Sequence, residues 1–358
     1  MSLLNRQQRF LLFIFIGISI QNGRIDAFLP ASQTVNQPTK TKQSYSAAYK
    51  FLTNAERRGG SMKAEPTAKE AANEFSLSSA IDVPRIAITI ACTFLTWAIQ
   101  IQNQYTNVLA SSALTLACTM CFDKRFGQAA FCGSFAGMAS IEMVPTWQYA
   151  MGLGALTSLF YEVLIEKKNS FVGVGGRLGA TAFIASLIIA AMQGLPTGLS
   201  LASLSIDNLQ KSVILSMAFW HAVGSAGTIL LRATSDDTRA TDTVRASATI
   251  GLIGALLLKD KTAALAVYGG SFVGMSAPTR LLHGILPSQV KDGAKVPDTS
   301  SVTLLTSFAI AGALGGIVHG ASIGLNWFNG GWGGKAGFCG FVGCLLYRAT
   351  RIVQGKLV

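Results

Sequence analysis

Asp123 to Met138 reads DKRFGQAAFCGSFAGM, and Asp260 to Met275 reads DKTAALAVYGGSFVGM. The two stretches align without gaps, with eight identities in sixteen positions that include all of Gly-Ser-Phe-x-Gly-Met. A second pair of blocks, Ala155 to Leu187 and Ala313 to Leu345, aligns co-linearly with nine identities in 33 positions. Among them Gly173, Gly175, Gly176 and Gly179 match Gly331, Gly333, Gly334 and Gly337. Two co-linear matches mark an internal repeat, with extra residues of the second copy in the polar stretch around Leu281 to Ser301.

Around these blocks the chain is a series of apolar segments with short polar connectors, which in hydrocarbon must be helical so that backbone amides are paired internally. Ten such segments lie near residues 86–101, 106–122, 127–143, 147–165, 171–193, 212–231, 241–258, 262–278, 303–325 and 335–350. The third, eighth and tenth are short enough to be read as half-helices or re-entrant segments. Five spans per copy is an odd number, so the copies should run in opposite directions across the membrane. The expected fold is therefore all-α: a polytopic membrane protein of about ten transmembrane helices in two inverted repeats of five, residues 81–205 and 206–358. Inverted repeats are a common plan of transporters, whose solute site lies near the midplane where the halves meet.

The cations test this count, because Lys and Arg stay on the side from which a membrane protein inserts. Ten spans place fifteen basic residues on the face shared by both termini and four (Lys211, Lys259, Lys261, Lys335) on the other. The overall composition agrees. Half of the 358 residues are hydrophobic, only 13% are charged, and mean hydropathy is +0.43, where a soluble domain carries about 25% charged residues. The net charge of +12 is thus read as address and topology, and nucleic-acid binding is set aside.

The first 80 residues look like targeting sequence. Arg6 and Arg9 precede an apolar run, Phe10 to Ile20, too short to span a bilayer, so residues 1–30 read as a signal peptide. Residues 31–80 are rich in Ser, Thr, Ala, Asn and Gln with scattered basic residues, a transit-like composition that does not build a core. With Ala27-Phe28-Leu29-Pro30 at the junction, this leader resembles the two-part presequence of algae with complex plastids. The resemblance implies a plastid membrane, thylakoid or inner envelope, with both mature termini facing the stroma.

The residues with possible chemistry fall in the repeated blocks. Gly133-Ser134-Phe135-Ala136-Gly137 and Gly270-Ser271-Phe272-Val273-Gly274 have the small-xxx-small spacing that brings helix backbones together in lipid. In the same segments Ser134, Phe135, Ser271 and Phe272 could line a path. Arg177 and Lys335 each follow a Gly-rich entry into a helix, where exposed amides and a cation attract anions. A dinucleotide fingerprint would need a preceding strand, absent here. Tyr161 and His319 occupy matched positions and each offers a ring with a hydrogen-bonding atom. His221 reads as a lone, hydrogen-bonded imidazole, and Glu142 and Glu162 read as solvated carboxylates at span ends. Cys118-x-x-Cys121 has no second pair or nearby His to complete a metal site. Neither a metal nor a cofactor is expected, and with no nucleophile-base pattern the chain is not read as an enzyme.

The order of parts in each half, with an aromatic-x-Gly-Ser-Phe-x-Gly segment at Phe131 to Gly137 and Tyr268 to Gly274, is similar to the five-plus-five architecture of urea transporters. That family's filter motif is replaced by GGRLGATAF, ending at Phe183, and GGKAGFCGF, ending at Phe341. The resemblance therefore implies an architecture and a central pore rather than urea as solute. The function expected is a plastid membrane channel or facilitative transporter for a small polar solute or anion, with the lipid bilayer as surroundings and a homo-oligomer compatible with the plan. The rival is a non-transporting scaffold or assembly factor for a pigment-protein complex, using the same glycines for packing alone.

Overall fold

A computed structural model describes residues 82–168, 170–197, 210–234, 242–291, 297, 299–328 and 330–355. The signal-peptide and transit-like segments, and the boundary between residues 205 and 206, lie outside the described residues. Among the described residues all regular structure is helical. The helices are α1 (Val83–Asn103), α2 (Asn107–Cys121), α3 (Lys124–Ala136), α4 (Trp147–Phe160), α5 (Arg177–Met192), α6 (Lys211–Thr234), α7 (Thr243–Leu257), α8 (Lys261–Gly274), α9 (Pro278–His283), α10 (Pro287–Lys291), α11 (Ser301–Gly324) and α12 (Trp332–Val353). Helix α4 runs on into a π-helical stretch, Tyr161–Lys167.

Four helices, α1, α6, α11 and α12, are long and apolar enough to cross a membrane. This corrects the reading of the tenth segment as short: α12 has 22 residues, whereas α3 has 13 and α8 has 14. The cause lies in the glycines. Gly173 and Gly176 adopt positive φ, +73° and +83°, and delay the start of α5 to Arg177. Their counterparts Gly331 and Gly334 do not, so α12 begins at Trp332.

The repeated Asp-Lys at the head of each block has a local explanation. The Asp123 carboxylate accepts from the Arg125 and Phe126 amides, and that of Asp260 accepts from the Thr262 amide. Each aspartate thereby caps its helix and satisfies amides that have no partner within it. The Gly-Ser-Phe-x-Gly-Met segments then bring backbones together. A Cβ on Gly133 would stand 2.2 Å from the Thr89 carbonyl oxygen, and one on Gly270 would stand 2.1 Å from that of His221. One turn on, Gly137 lies over the Thr93 carbonyl and Gly274 over that of Ser225.

These approaches recur in the helix pairing. Helix α1 packs on α3 and α4, as α6 packs on α8 and α11. Helix α2 lies on α3 and α4 on α5, as α7 lies on α8 and α11 on α12. The sets meet most extensively where α2 lies on α7 and α5 on α12, and α3 also touches α7 and α12 while α2 touches α8. Between α5 and α12, Gly179 meets Gly337 backbone to backbone. Leu215, Phe219 and Leu230 on α6, and Val302 and Ile310 on α11, remain exposed, apolar surface of the kind lipid tails solvate.

Candidate functional site

The segments that carry Ser134 and Ser271 meet at the centre. Their aromatic rings form one cluster: Phe135 and Phe272 at 4.2 Å between centroids, Phe135 and Tyr268 at 4.6 Å, and Phe131 and Phe272 at 4.9 Å. All four rings are fully buried. Phe131 and Phe135 lie one turn apart on α3, and Tyr268 and Phe272 one turn apart on α8, so each helix presents a two-ring face to the other.

Hydroxyls flank the rings. Ser134 Oγ donates to the Phe131 carbonyl at 2.9 Å and lies 2.9 Å from Ser111 Oγ and 2.8 Å from Thr115 Oγ1. Ser271 Oγ donates to the Tyr268 carbonyl and lies 2.6 Å from Ser247 Oγ. The Tyr268 hydroxyl reaches across to Ser111 Oγ at 3.4 Å, so α2 and α3 are linked through it to α8. Ser111, Thr115 and Ser247 were not among the expected lining residues. Their only sequence signal is a hydroxyl one or two turns into a short apolar helix.

Tyr161, Arg177, His319 and Lys335 fall in two further groups. In the first, Tyr161 Oη donates to Glu166 Oε1 at 3.1 Å, and Arg177, near both, donates to the Ser170 carbonyl. The same group holds a buried ion-pair network that sequence reasoning missed. Arg85, 3% exposed, donates through Nε and Nη2 to the two oxygens of Glu162 at 2.7 Å each, and through Nη1 to Glu166 at 3.0 Å. Glu162 is itself buried, which overturns its reading as a solvated carboxylate. The π-helical stretch carries both glutamates and the tyrosine, and such local rewinding of a helix is frequent at functional sites.

In the second group His319 Nδ1 lies 2.9 Å from His221 Nε2, both rings buried, so His221 is paired rather than lone. Lys335 Nζ donates to the carbonyls of Trp327 at 2.5 Å and Ser322 at 3.4 Å, and Ser322 Oγ donates to the carbonyl of His319. At the loop between α3 and α4, Ser140 and a backbone amide hold the exposed Glu142 carboxyl below its usual range. Of the cysteine pair in α2, Cys118 is buried 3.8 Å from Cys92 while Cys121 is exposed.

Two connectors are tied in matching ways. The Ala277 amide donates to the Gly173 carbonyl beside the start of α5, and the Ser140 amide donates to the Gly330 carbonyl beside the start of α12. The chain matches no family model, no curated protein and no solved structure.

Proposed function

We propose that the chain is a plastid membrane channel or facilitative transporter for a small polar solute or anion, with its path between two inverted five-helix repeats. The observation that carries this reading is the four-ring cluster of Phe131, Phe135, Tyr268 and Phe272, where the two short Gly-Ser-Phe-x-Gly helices meet with hydroxyls on either side. Apolar rings at a constriction with hydroxyls next to it are the parts of a dewetting gate and a hydrogen-bonding path. In this state the rings are in contact, which corresponds to a closed gate.

The inverted plan is supported by matched contacts: Gly133 on Thr89 with Gly270 on His221, Gly176 on Phe341 with Gly334 on Phe183, and Gly179 on Gly337 itself. It is also supported by the ties of Gly173 to the end of α8 and of Gly330 to the end of α3. Two of the basic residues assigned to the stromal face lie at helix ends, Arg125 on Asp82 and Arg245 on the Thr119 carbonyl, which is compatible with that assignment. Both mature termini would then face the stroma, and subunits could assemble as a homo-oligomer through the exposed faces of α6 and α11.

Flux from liposomes tests the reading. Purified protein should release small polar solutes or anions faster than empty vesicles, and Phe135→Ala with Phe272→Ala should raise that flux by opening the constriction. The pair Ser134→Leu and Ser271→Leu should block it at near-normal abundance. No leak from either the wild type or the alanine variant would sink the proposal. Complete burial of the rings favours one rival, a scaffold for a pigment-protein complex, and under that reading the alanine variant loses stability and gains no flux.

A further inference from the structure

In each half a side chain at the end of the last helix holds the segment that follows the repeated block. Gln193 Nε2 donates to the Met143 carbonyl at 2.6 Å, and Arg351 Nη2 donates to the Leu282 carbonyl at 3.4 Å. Carrying the two gapless alignments on by a few residues matches Gln193 to Arg351, Ala190 to Arg348 and Met143 to Arg280. An amide, a methyl and a thioether thus stand in one half where three guanidiniums stand in the other. Since Gln193 makes its tie without charge, holding a carbonyl does not account for the arginines.

Two contacts draw the three together. Ser276 Oγ lies 3.3 Å from Cys344 Sγ, and the bond from Arg351 to Leu282 follows further along the same two segments. Arg280, four residues past Ser276, and Arg348, four past Cys344, fall between these contacts. Arg280 Nη1 donates to the Gly284 carbonyl at 2.6 Å, two residues from the carbonyl that takes Arg351. All three arginines are partly buried, and the Nε of each is buried without a hydrogen-bond partner. The four ion pairs among the described residues fall on Asp82, Arg85, Arg125, Glu162 and Glu166, and none reaches this cluster. Arg85 shows what a guanidinium takes when paired: its Nε and Nη2 hold both oxygens of Glu162.

The cluster lies at the end of α12, which is long and apolar enough to cross a membrane, and apolar surface adjoins it. Phe341, Leu345, Arg348 and Ile352 recur along α12 at the spacing of a single helix flank. Ile352 is exposed at one end of that flank, and at the other the exposed Phe171 ring stands edge-on to Phe341 at 5.0 Å. We infer that Arg280, Arg348 and Arg351 hold the phosphate headgroup of an anionic lipid whose acyl chain lies along this flank. Basic residues between helices at a membrane surface bind such headgroups. The guanidiniums select for net negative charge, and the apolar flank selects a lipid over free phosphate. The site is separate from any path between the repeats, so its failure leaves the facilitator reading as it stands.

Thermal unfolding of the full chain in an uncharged detergent tests this, with phosphatidylglycerol, phosphatidylcholine and inorganic phosphate as probes. Phosphatidylglycerol should raise the unfolding temperature saturably. Phosphatidylcholine, whose phosphate carries a balancing cation, and inorganic phosphate, which has no acyl chain, should not. Arg348→Gln with Arg351→Gln should raise the phosphatidylglycerol concentration needed by about tenfold or more. The second change copies the amide of Gln193, so the tie to Leu282 is kept and unfolding stays cooperative. Arg348→Gln alone should act in the same direction by a smaller factor, and exposed Lys211→Gln should change nothing. No response to phosphatidylglycerol, or an undiminished one in both arginine variants, would overturn the site. An equal response to phosphatidylcholine would remove the selection for charge, and an equal response to inorganic phosphate would replace the lipid with a free anion; either outcome also overturns the proposal.

Discussion

The first set of helices, α1 to α5, and the second, α6 to α12, share their crossings and differ in their charge. Where α1 passes under α3, the carbonyl beneath the glycine belongs to Thr89; where α6 passes under α8, it belongs to His221. Four residues earlier on each helix stand Arg85 and Met217, the former locked to Glu162 and the latter buried and neutral. Backbone approach is thus kept where side-chain chemistry has diverged. The glycines define where helices can touch, and the polar residues between them are free to take on different tasks.

The largest expected effect tests the charged half. Arg85→Met leaves Glu162 buried and unpaired, and should cost about 3–5 kcal/mol in thermal unfolding in detergent. Adding Glu162→Gln should recover much of that loss by removing the buried, unpaired carboxylate. If the single variant is as stable as wild type, the network contributes nothing and the contrast fails.

The shared crossings are tested next. Gly133→Ala and Gly270→Ala each drive a methyl into a carbonyl oxygen, so each should cost about 1–3 kcal/mol or more, and by similar amounts. Gly152→Ala, with no atom within 4 Å of the added carbon, should be neutral or slightly stabilising. Unequal losses at Gly133 and Gly270 would break the claim that the crossings are equivalent.

The hydroxyls give a smaller signal. Ser134→Ala removes a group touching Ser111, Thr115 and the Phe131 carbonyl and should cost about 1 kcal/mol. Ser271→Ala, with one side-chain partner fewer, should cost less. The smallest effect is Tyr268→Phe, which removes the 3.4 Å contact with Ser111 and makes the ring identical to Phe131. It should shift stability by no more than about 0.5 kcal/mol, read as a small change in unfolding temperature.

Much of the helical layout could be read from the sequence because apolar runs and connectors alternate clearly. The ends could not. The third segment was extended to residue 143, yet α3 stops at Ala136, where the chain turns beyond the Gly137 approach to α1. The fourth segment hid a π-helical stretch, Tyr161–Lys167, since hydropathy does not distinguish a π-helical turn from an α-helical one. At the site, the serines and phenylalanines of the repeated blocks were visible because they were repeated. Arg85–Glu162 and His221–His319 were invisible because each joins residues 77 and 98 positions apart, and their partners in the other half are different residue types, so repetition gave no clue.

The meeting of Gly179 with Gly337 has a mechanical consequence. On either side of that point an aromatic residue of each helix seats on a glycine of the other, Phe341 on Gly176 and Phe183 on Gly334, so the crossing of α5 and α12 is interlocked. Both lie too close for anything to be inserted between them. The two helices should therefore move as one unit, because sliding or scissoring would unseat both aromatic residues. A bulky residue at either glycine should force the pair apart and unseat Phe341 and Phe183 together, so its cost should exceed that of losing one contact.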